Sequence, residues 1–310
     1  MSGASDKPVV GRFAPSPTGA LHTGSLVAAV GSYLMAKQAG GRWLLRLDDL
    51  DTQRQVPGMA DDIMRTLESF GLLWDGEITC QSRHHDEYER AVAALQQMGV
   101  VYPCACSRKD IARSASAPHA EDDGIAYPGT CRGGMKAGSL IRSWRIRVPE
   151  EEICFSDLRR GTVCQKLPVT SGDFVLKRGD GEFAYQLAVV VDDYLTGVTQ
   201  VVRGDDLLSS TPRQIYLQRL LGFPQPEYCH LPLVAGPAGS KLSKRDNLVS
   251  HRLDSVVGRE PGLLYAVLGF LGLEPPHALA GCSCRTILEW GVTSFSPLRL
   301  PDYGGELIYD

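Results

Sequence analysis

No apolar stretch in these 310 residues approaches the ~18 or more that a membrane span needs. The longest, around Leu187 to Val191, is core-sized, so no membrane association is expected. Internal repeats and low-complexity tracts are both absent, which excludes a repeat array and a disordered linker protein. The first residues, Met1 to Asp6, are small and polar and no apolar stretch follows them, so no secretory leader is expected. A positive net charge is also missing. At −4, the chain gives no support to nucleic-acid binding across its whole surface. Nine cysteines without a leader favour a reducing, cytoplasmic setting, with free or metal-bound thiols rather than a disulfide framework.

What is present is a globular composition, 43% hydrophobic and 22% charged, at a length that predicts roughly two domains. Charge is uneven. From Arg132 to Arg178 ten Lys/Arg stand against five Asp/Glu, a local basic zone. Pro8 to Phe13 reads as a first strand, broken by Pro15, Pro17 and Gly19. From Thr23, Leu26, Val27, Val30, Leu34 and Met35 recur at helical spacing until Gly40-Gly41. Trp43 to Leu47 is a compact apolar strand, and helices are predicted over Met59 to Phe70 and Asp86 to Met98. Strand, helix, strand, helix implies a parallel sheet with crossover helices.

The rhythm changes near Cys104. Strand-like pieces follow at Ser143 to Val148 and Asp173 to Lys177, with a hairpin turn at Asp180-Gly181. The α/β pattern returns with Phe183 to Val191 and Val198 to Arg203. Ser209-Ser210-Thr211-Pro212 predicts a hydroxyl-capped helix that Gly222 closes, and Leu231 to Val234 another buried strand. From about His251 the chain reads as helical, then irregular. The expected divisions are 8–103 and 179–250 for the two halves of the α/β unit, 104–178 for an insertion, and 251–310 for a short C-terminal segment.

Two distant segments carry the chemistry. Near the start stands Gly11-Arg12-Phe13-Ala14-Pro15-Ser16-Pro17-Thr18-Gly19-Ala20-Leu21-His22-Thr23-Gly24; near the end, Lys241-Leu242-Ser243-Lys244-Arg245. Attack on the α-phosphate of ATP builds negative charge on phosphate oxygens, which pre-placed donors and cations must meet. Gly19 and Gly24 let backbone approach a nucleotide. The helix starting near Thr23 offers free N–H groups as an anion site. His22 can donate to a phosphate oxygen, and Lys241 and Lys244 sit on a glycine-flanked loop that can close over a triphosphate.

With these two segments the chain resembles a class I aminoacyl-tRNA synthetase of the glutamyl type. His22-Thr23-Gly24-Ser25 matches the family's His-Ile-Gly-His signature, with Ser25 in place of the second histidine. Lys241-Leu242-Ser243-Lys244-Arg245 matches its Lys-Met-Ser-Lys-Ser signature, with Lys244 as the implied ATP contact. The likeness runs from Gly11 to about Asn247. It implies a Rossmann-type parallel sheet with a zinc-bearing insertion. It also implies activation of L-glutamate by ATP, with Mg²⁺ accompanying the nucleotide.

A dicarboxylate needs cations at its carboxylates and an anion at its ammonium, and Arg is the best carboxylate partner. The resemblance gives glutamate to Arg12, Ala14, Ser16, Asp48, Tyr185 and Arg203. Asp48 stands where most relatives carry glutamate, and is assigned to the ammonium. On residue type alone, Asp48, Asp49 and Asp51 could instead cap a strand end or hold Mg²⁺, and Tyr185 and Arg203 could be a core tyrosine and a surface arginine.

Cys104-x-Cys106 and Cys131 have the character of a tetrahedral zinc site that lacks its fourth ligand. By chemistry His119 is the first choice, since a phenol titrates only near ~10. The family's Cys-x-Cys, Tyr-x₃-Cys pattern instead points to Tyr127. Cysteines 80, 154, 164, 229, 282 and 284 show no partner pattern.

Full glutamyl-type synthetases continue far past their lysine signature to read the anticodon, whereas only residues 246–310 follow here. The truncated, zinc-bearing relatives are the glutamyl-queuosine tRNA(Asp) synthetases, which glutamylate the queuosine of the wobble position. That resemblance implies an active site that meets the anticodon loop, with the basic zone on stem phosphates, and a monomer is expected. A truncated enzyme charging the tRNA 3′ end, and a non-catalytic tRNA- or zinc-binding paralogue, are the alternatives.

Overall fold

The computed structural model describes residues 8–107, 109–111, 126–235, 253, 258–305 and 307. The first half runs β1 (Val10–Phe13), α1 (Thr23–Gln38), β2 (Arg42–Leu47), α2 (Met59–Ser69), β3 (Thr79–Cys80) and α3 (His85–Gln97). The middle holds β4 (Val101–Cys104), β5 (Ser143–Ile146), β6 (Ile153–Asp157), β7 (Gly161–Gln165), the single turn α4 (Leu167–Thr170) and β8 (Val175–Arg178). The last part adds α5 (Tyr185–Leu195), β9 (Gln200–Gly204), α6 (Thr211–Leu221), β10 (Glu227–Leu231), α7 (Glu260–Phe270) and α8 (Cys284–Ser294).

β1, β2 and β3 pair in parallel, as do β9, β10 and β6, to which β7 adds an antiparallel edge. The two sheets meet at β1 and β9. There Thr199 N–H donates to Val10 O, and Val10 N–H to Thr199 Oγ1, both at 2.9 Å. Neighbouring residues of one strand face opposite ways, as the strand period requires. Val202 and Cys229 join one core with α1, α2, α7 and α8; Val201 and Tyr228 join the other with α3, α5 and α6. Each fully buried Leu or Ile in these layers contributes about 1.5–3 kcal/mol. Gly31 lets α1 lie on β10, because a Cβ there would stand 2.5 Å from Leu231 Cδ1.

Most expected elements of the first half appear within a residue or two. Three expectations change. The strand expected at Leu231 to Val234 is centred earlier, at Glu227–Leu231, since Pro232 cannot donate to a ladder. Ser210 does not cap α6: its backbone is helical, and its hydroxyl instead accepts from Gln186 Nε2 at 2.9 Å. Cys154 and Cys164, given no partner by the sequence, face each other across β6 and β7 and form a disulfide.

In the stretch expected to be an insertion, β5 and β8 build a separate antiparallel sheet with β4, which ends where that stretch begins, while β6 and β7 join β10. Gly181, with φ +96°, makes the expected hairpin turn, and Arg178 N–H donates to Glu182 O at 2.7 Å. The C-terminal helices α7 and α8 pack back on the first core, where Gly291 lies against Leu34 and Leu268.

Candidate active site

Arg12 is buried in β1, and its Nε donates to Asp193 Oδ1 at 3.1 Å. Arg46, buried in β2, reaches the same oxygen with Nη1 at 2.6 Å and Asp48 Oδ1 with Nε at 2.7 Å. Asp192, next in the cluster, accepts from Gln81 Nε2 and Tyr88 OH and faces His84 Nδ1, all within 2.8 Å. Burial opposes charge on Asp193, but Arg12 and Arg46 outweigh it and hold its carboxyl below the usual range. For Asp48 burial prevails over Arg46, and its pKa is pushed up to about 6. Asp48 Oδ2 has no hydrogen-bond partner among the described residues, so one oxygen remains for an ammonium. Asp49 is taken by Ser82, and Asp51 by Arg54.

Arg203 lies at the end of β9, also buried. Its Nε donates to His230 Nε2 at 3.2 Å and its Nη2 to Thr211 Oγ1 at 2.8 Å. The Arg203 guanidinium lies 5.7 Å from the centre of the Tyr228 ring. Burial raises the Tyr228 pKa to about 12, and the charges of Arg203, Asp193 and Arg12 all act on it. Tyr185 opens α5 and is 38% exposed, half-buried Ala14 follows β1, and Ser16 is exposed beyond it.

His22 caps α1. Its Nδ1 accepts from Ser25 N–H at 3.2 Å, so one of the first N–H groups expected to serve an anion serves the histidine instead. Gly24 makes room for that ring, since a Cβ there would lie 3.1 Å from it. Around Gly19 a Cβ would meet nothing within 4 Å, which leaves the turn open to a ligand. Lys241 and Lys244 lie outside the described residues, but Leu253, just beyond them, donates to Leu21 O at 3.0 Å. That contact returns the chain to the residue before His22.

The cysteine cluster sits by β4. The sulfurs of Cys104, Cys106 and Cys131 all lie within 4.8 Å of one another. Tyr127 OH is 3.3 Å from Cys104 Sγ and 3.6 Å from Cys106 Sγ, which is itself 3.6 Å from Cys131 Sγ. A tetrahedral zinc with bonds near ~2.3 Å needs sulfurs about 3.8 Å apart, so these donors fit such an ion. Burial pushes the Cys106 thiol up to about 11. A bound cation would reverse that, because a coordinating thiol is deprotonated. Buried Asp173 braces the loop, accepting from Arg132 Nε and Nη2 at 2.5 Å and from Tyr102 OH. His119 lies outside the described residues; the structure brings Tyr127 to the thiols.

Residues 8–286 match the family model for the catalytic domain of class I tRNA synthetases, E and Q. A glutamyl-Q tRNA(Asp) synthetase of Geobacter sulfurreducens is 59% identical over 95% of this chain and 94% of its own length. One from Dechloromonas aromatica is 54% identical, covering 92% and 93%. The chain belongs to the glutamyl-Q tRNA(Asp) synthetase family. Among solved structures, a glutamate tRNA ligase of Elizabethkingia meningosepticum, in complex with its amino acid, superposes with a TM-score of 0.80 at 27% identity. The match covers 97% of this chain and 67% of that ligase. The glutamate-tRNA synthetase of Elizabethkingia anophelis gives 0.81 at 27%, covering 97% and 68%.

In this synthetase-family chain the structure gathers Arg12 and Asp48 around partners the sequence did not single out, Arg46, Asp192 and Asp193. Two adjacent acids closing the apolar run Leu187 to Val191 were the available signal. Asp157 and His230 were missed as well, having no local motif.

Proposed function

We propose that this chain activates L-glutamate with ATP and transfers the glutamyl group to the queuosine base at the wobble position of tRNA(Asp). The observation that carries the reading is the near end-to-end match to relatives of that name, within a family match that spans Arg12 to Lys244. In the first step a glutamate carboxylate oxygen attacks the α-phosphorus, and pyrophosphate leaves. In the second, a hydroxyl of the queuosine cyclopentenediol attacks the acyl carbon of the mixed anhydride and AMP leaves. No covalent enzyme intermediate is involved.

Arg12 and Arg203 serve the carboxylates, Asp48 the ammonium, and Ala14, Ser16 and Tyr185 shape the pocket. His22, Gly24, Lys241 and Lys244 serve the triphosphate, which arrives with Mg²⁺. Cys104, Cys106, Tyr127 and Cys131 hold one zinc ion, whose role is to brace the loop. Among the described residues no helix is long and apolar enough to cross a membrane; we place the enzyme in the cytoplasm, as a monomer. The basic zone around Arg142 and Arg147 meets the anticodon arm.

The test follows radiolabelled glutamate on queuosine-containing tRNA(Asp), mapped by nuclease fragments. Label on the anticodon-loop fragment is the expected result; label on the 3′ adenosine replaces this reading with acceptor-end charging. Absence of glutamate-dependent pyrophosphate exchange, with or without tRNA, points to a non-catalytic binding protein.

A further inference from the structure

Arg203 differs from Arg12 and Arg46 in what surrounds it. Arg12 and Arg46 donate to carboxylates. Arg203 donates only to neutral acceptors: His230 Nε2, Thr211 Oγ1 and, at 3.4 Å, Leu207 O. Its Nη1 is buried without a hydrogen-bond partner among the described residues. Such a donor is costly, more so when charged, unless something completes it. Arg46 Nη2 is open in the same way, but on a guanidinium that three aspartates answer; on Arg203, with no carboxylate bonded to it among the described residues, the open donor asks for an anionic ligand.

Behind Arg203 stands a fixed chain of groups. Asp157 closes β6, 2% exposed. Its Oδ1 accepts from the backbone N–H groups of Arg159 and Arg160, at 3.0 and 2.8 Å. Its Oδ2 accepts from His230 N–H at 3.1 Å and stands 2.7 Å from His230 Nδ1. A carboxylate at Nδ1 places the ring proton there and leaves the Nε2 lone pair for Arg203. Burial, joined by the Arg203 charge, holds the imidazole pKa below its ordinary value even beside Asp157. His230 is therefore neutral, and remains an acceptor.

We infer that Asp157 and His230 are positioning residues that aim Arg203 at a carboxylate of the amino-acid substrate while leaving its charge uncancelled. The inference rests on the assignment of Arg203 to glutamate. A carboxylate bonded directly to Arg203 would compete with the substrate for the same fork. An intervening neutral ring fixes the guanidinium without that competition, as outer partners orient ligands in metal sites.

The experiment is glutamate-dependent pyrophosphate exchange, with KM measured separately for glutamate and ATP. In His230→Asn the amide can still meet Asp157 but falls short of Arg203. Its KM for glutamate is expected to rise about tenfold or more, the range of one charge-assisted hydrogen bond, with KM for ATP unchanged. His230→Gln, whose Oε1 reaches toward the Nε2 position, is expected to recover most of that loss. Thr211→Val is expected to raise KM for glutamate less, in the same direction, and decides the matter should His230→Asn fail to fold. Arg203→Lys separates the two layers. If it leaves KM for glutamate unchanged, the assignment of Arg203 falls, and the relay with it. If it raises that KM while His230→Asn and Thr211→Val do not, the relay alone is overturned. Equal rises for both substrates in His230→Asn, without recovery in His230→Gln, also overturn it.

Discussion

Arg46 and Arg203 are both buried near the carboxyl ends of parallel strands, where α/β sheets bind ligands, yet they are held in opposite ways. Around Arg46 three aspartates converge, with Asp48 and Asp193 at hydrogen-bond distance and Asp192 Oδ2 at 3.8 Å. Around Arg203 stand an imidazole, a hydroxyl and a carbonyl. The first guanidinium is part of the frame, its charge answered from within. The second is fixed in space but left electrostatically open. Two identical side chains thus do different work because of what the neighbouring strands and helices place beside them.

The largest expected effect breaks the closed side. Asp193→Asn removes the shared countercharge of Arg12 and Arg46, and loss of one partner from a buried ion pair costs about 3–5 kcal/mol. Urea unfolding should show that loss; a change below about 1 kcal/mol would mean the charges are answered elsewhere. The open side is expected to behave in reverse. Arg203→Met should alter stability by no more than about 1 kcal/mol, since no ion pair is broken. Its glutamate activation should nonetheless fall about 100-fold, as when a single preorganised donor is removed. A large stability loss in this variant would erase the contrast.

The cysteine cluster extends the comparison to a centre braced by backbone. Gly172 has φ +62°, and a Cβ there would stand 2.2 Å from Tyr127 O. Gly172→Ala should cost about 1–3 kcal/mol in backbone strain and push Tyr127 from the thiols. Metal content per chain, measured by mass spectrometry, should drop below wild type; full retention would show that the phenol is dispensable.

The smallest effect concerns Asp48, beside Arg46, Arg12 and Asp192. Burial is the main cause that lifts its pKa to about 6. A raised carboxyl pKa favours the protonated folded form, so its contribution to stability declines as pH rises from the ordinary carboxylate range through about 6. Binding an ammonium needs the ionised form and runs the other way. KM for glutamate should climb as pH falls below about 6, approaching tenfold per unit. In Asp48→Asn that slope should vanish. A wild-type KM flat from pH 7 to 5 would remove Asp48 from the ammonium site.

How legible these features were depends on distance along the chain. Helix α1 and strand β2 show their periods within a dozen residues; Cys104, Cys106 and Cys131 declare themselves by spacing, whereas Tyr127 was reached through likeness to the family pattern. Arg12 and Arg203 were found through motif likeness. Asp193 meets Arg12 from 181 positions away, and His230 meets Asp157 from 73. Inside apolar runs such polar residues carry no local sign of their partners. The same holds for β10, whose Glu227, Tyr228 and His230 mask a strand that only tertiary bonds explain. Glu227 accepts from Gln200, and Tyr228 accepts from Gln218 Nε2. The Cys154–Cys164 pairing became visible only once β6 and β7 stood side by side.

Ala235 donates to Gly305 O at 2.8 Å, and Leu253 to Leu21 O at 3.0 Å. Lys241 and Lys244 are thus tethered between two moored points, one of them beside the His22 turn. On the role proposed for these two lysines, such moorings set the effective concentration of their charge near a bound nucleotide. Substitutions at the anchors could therefore dilute two cations while leaving both of them intact.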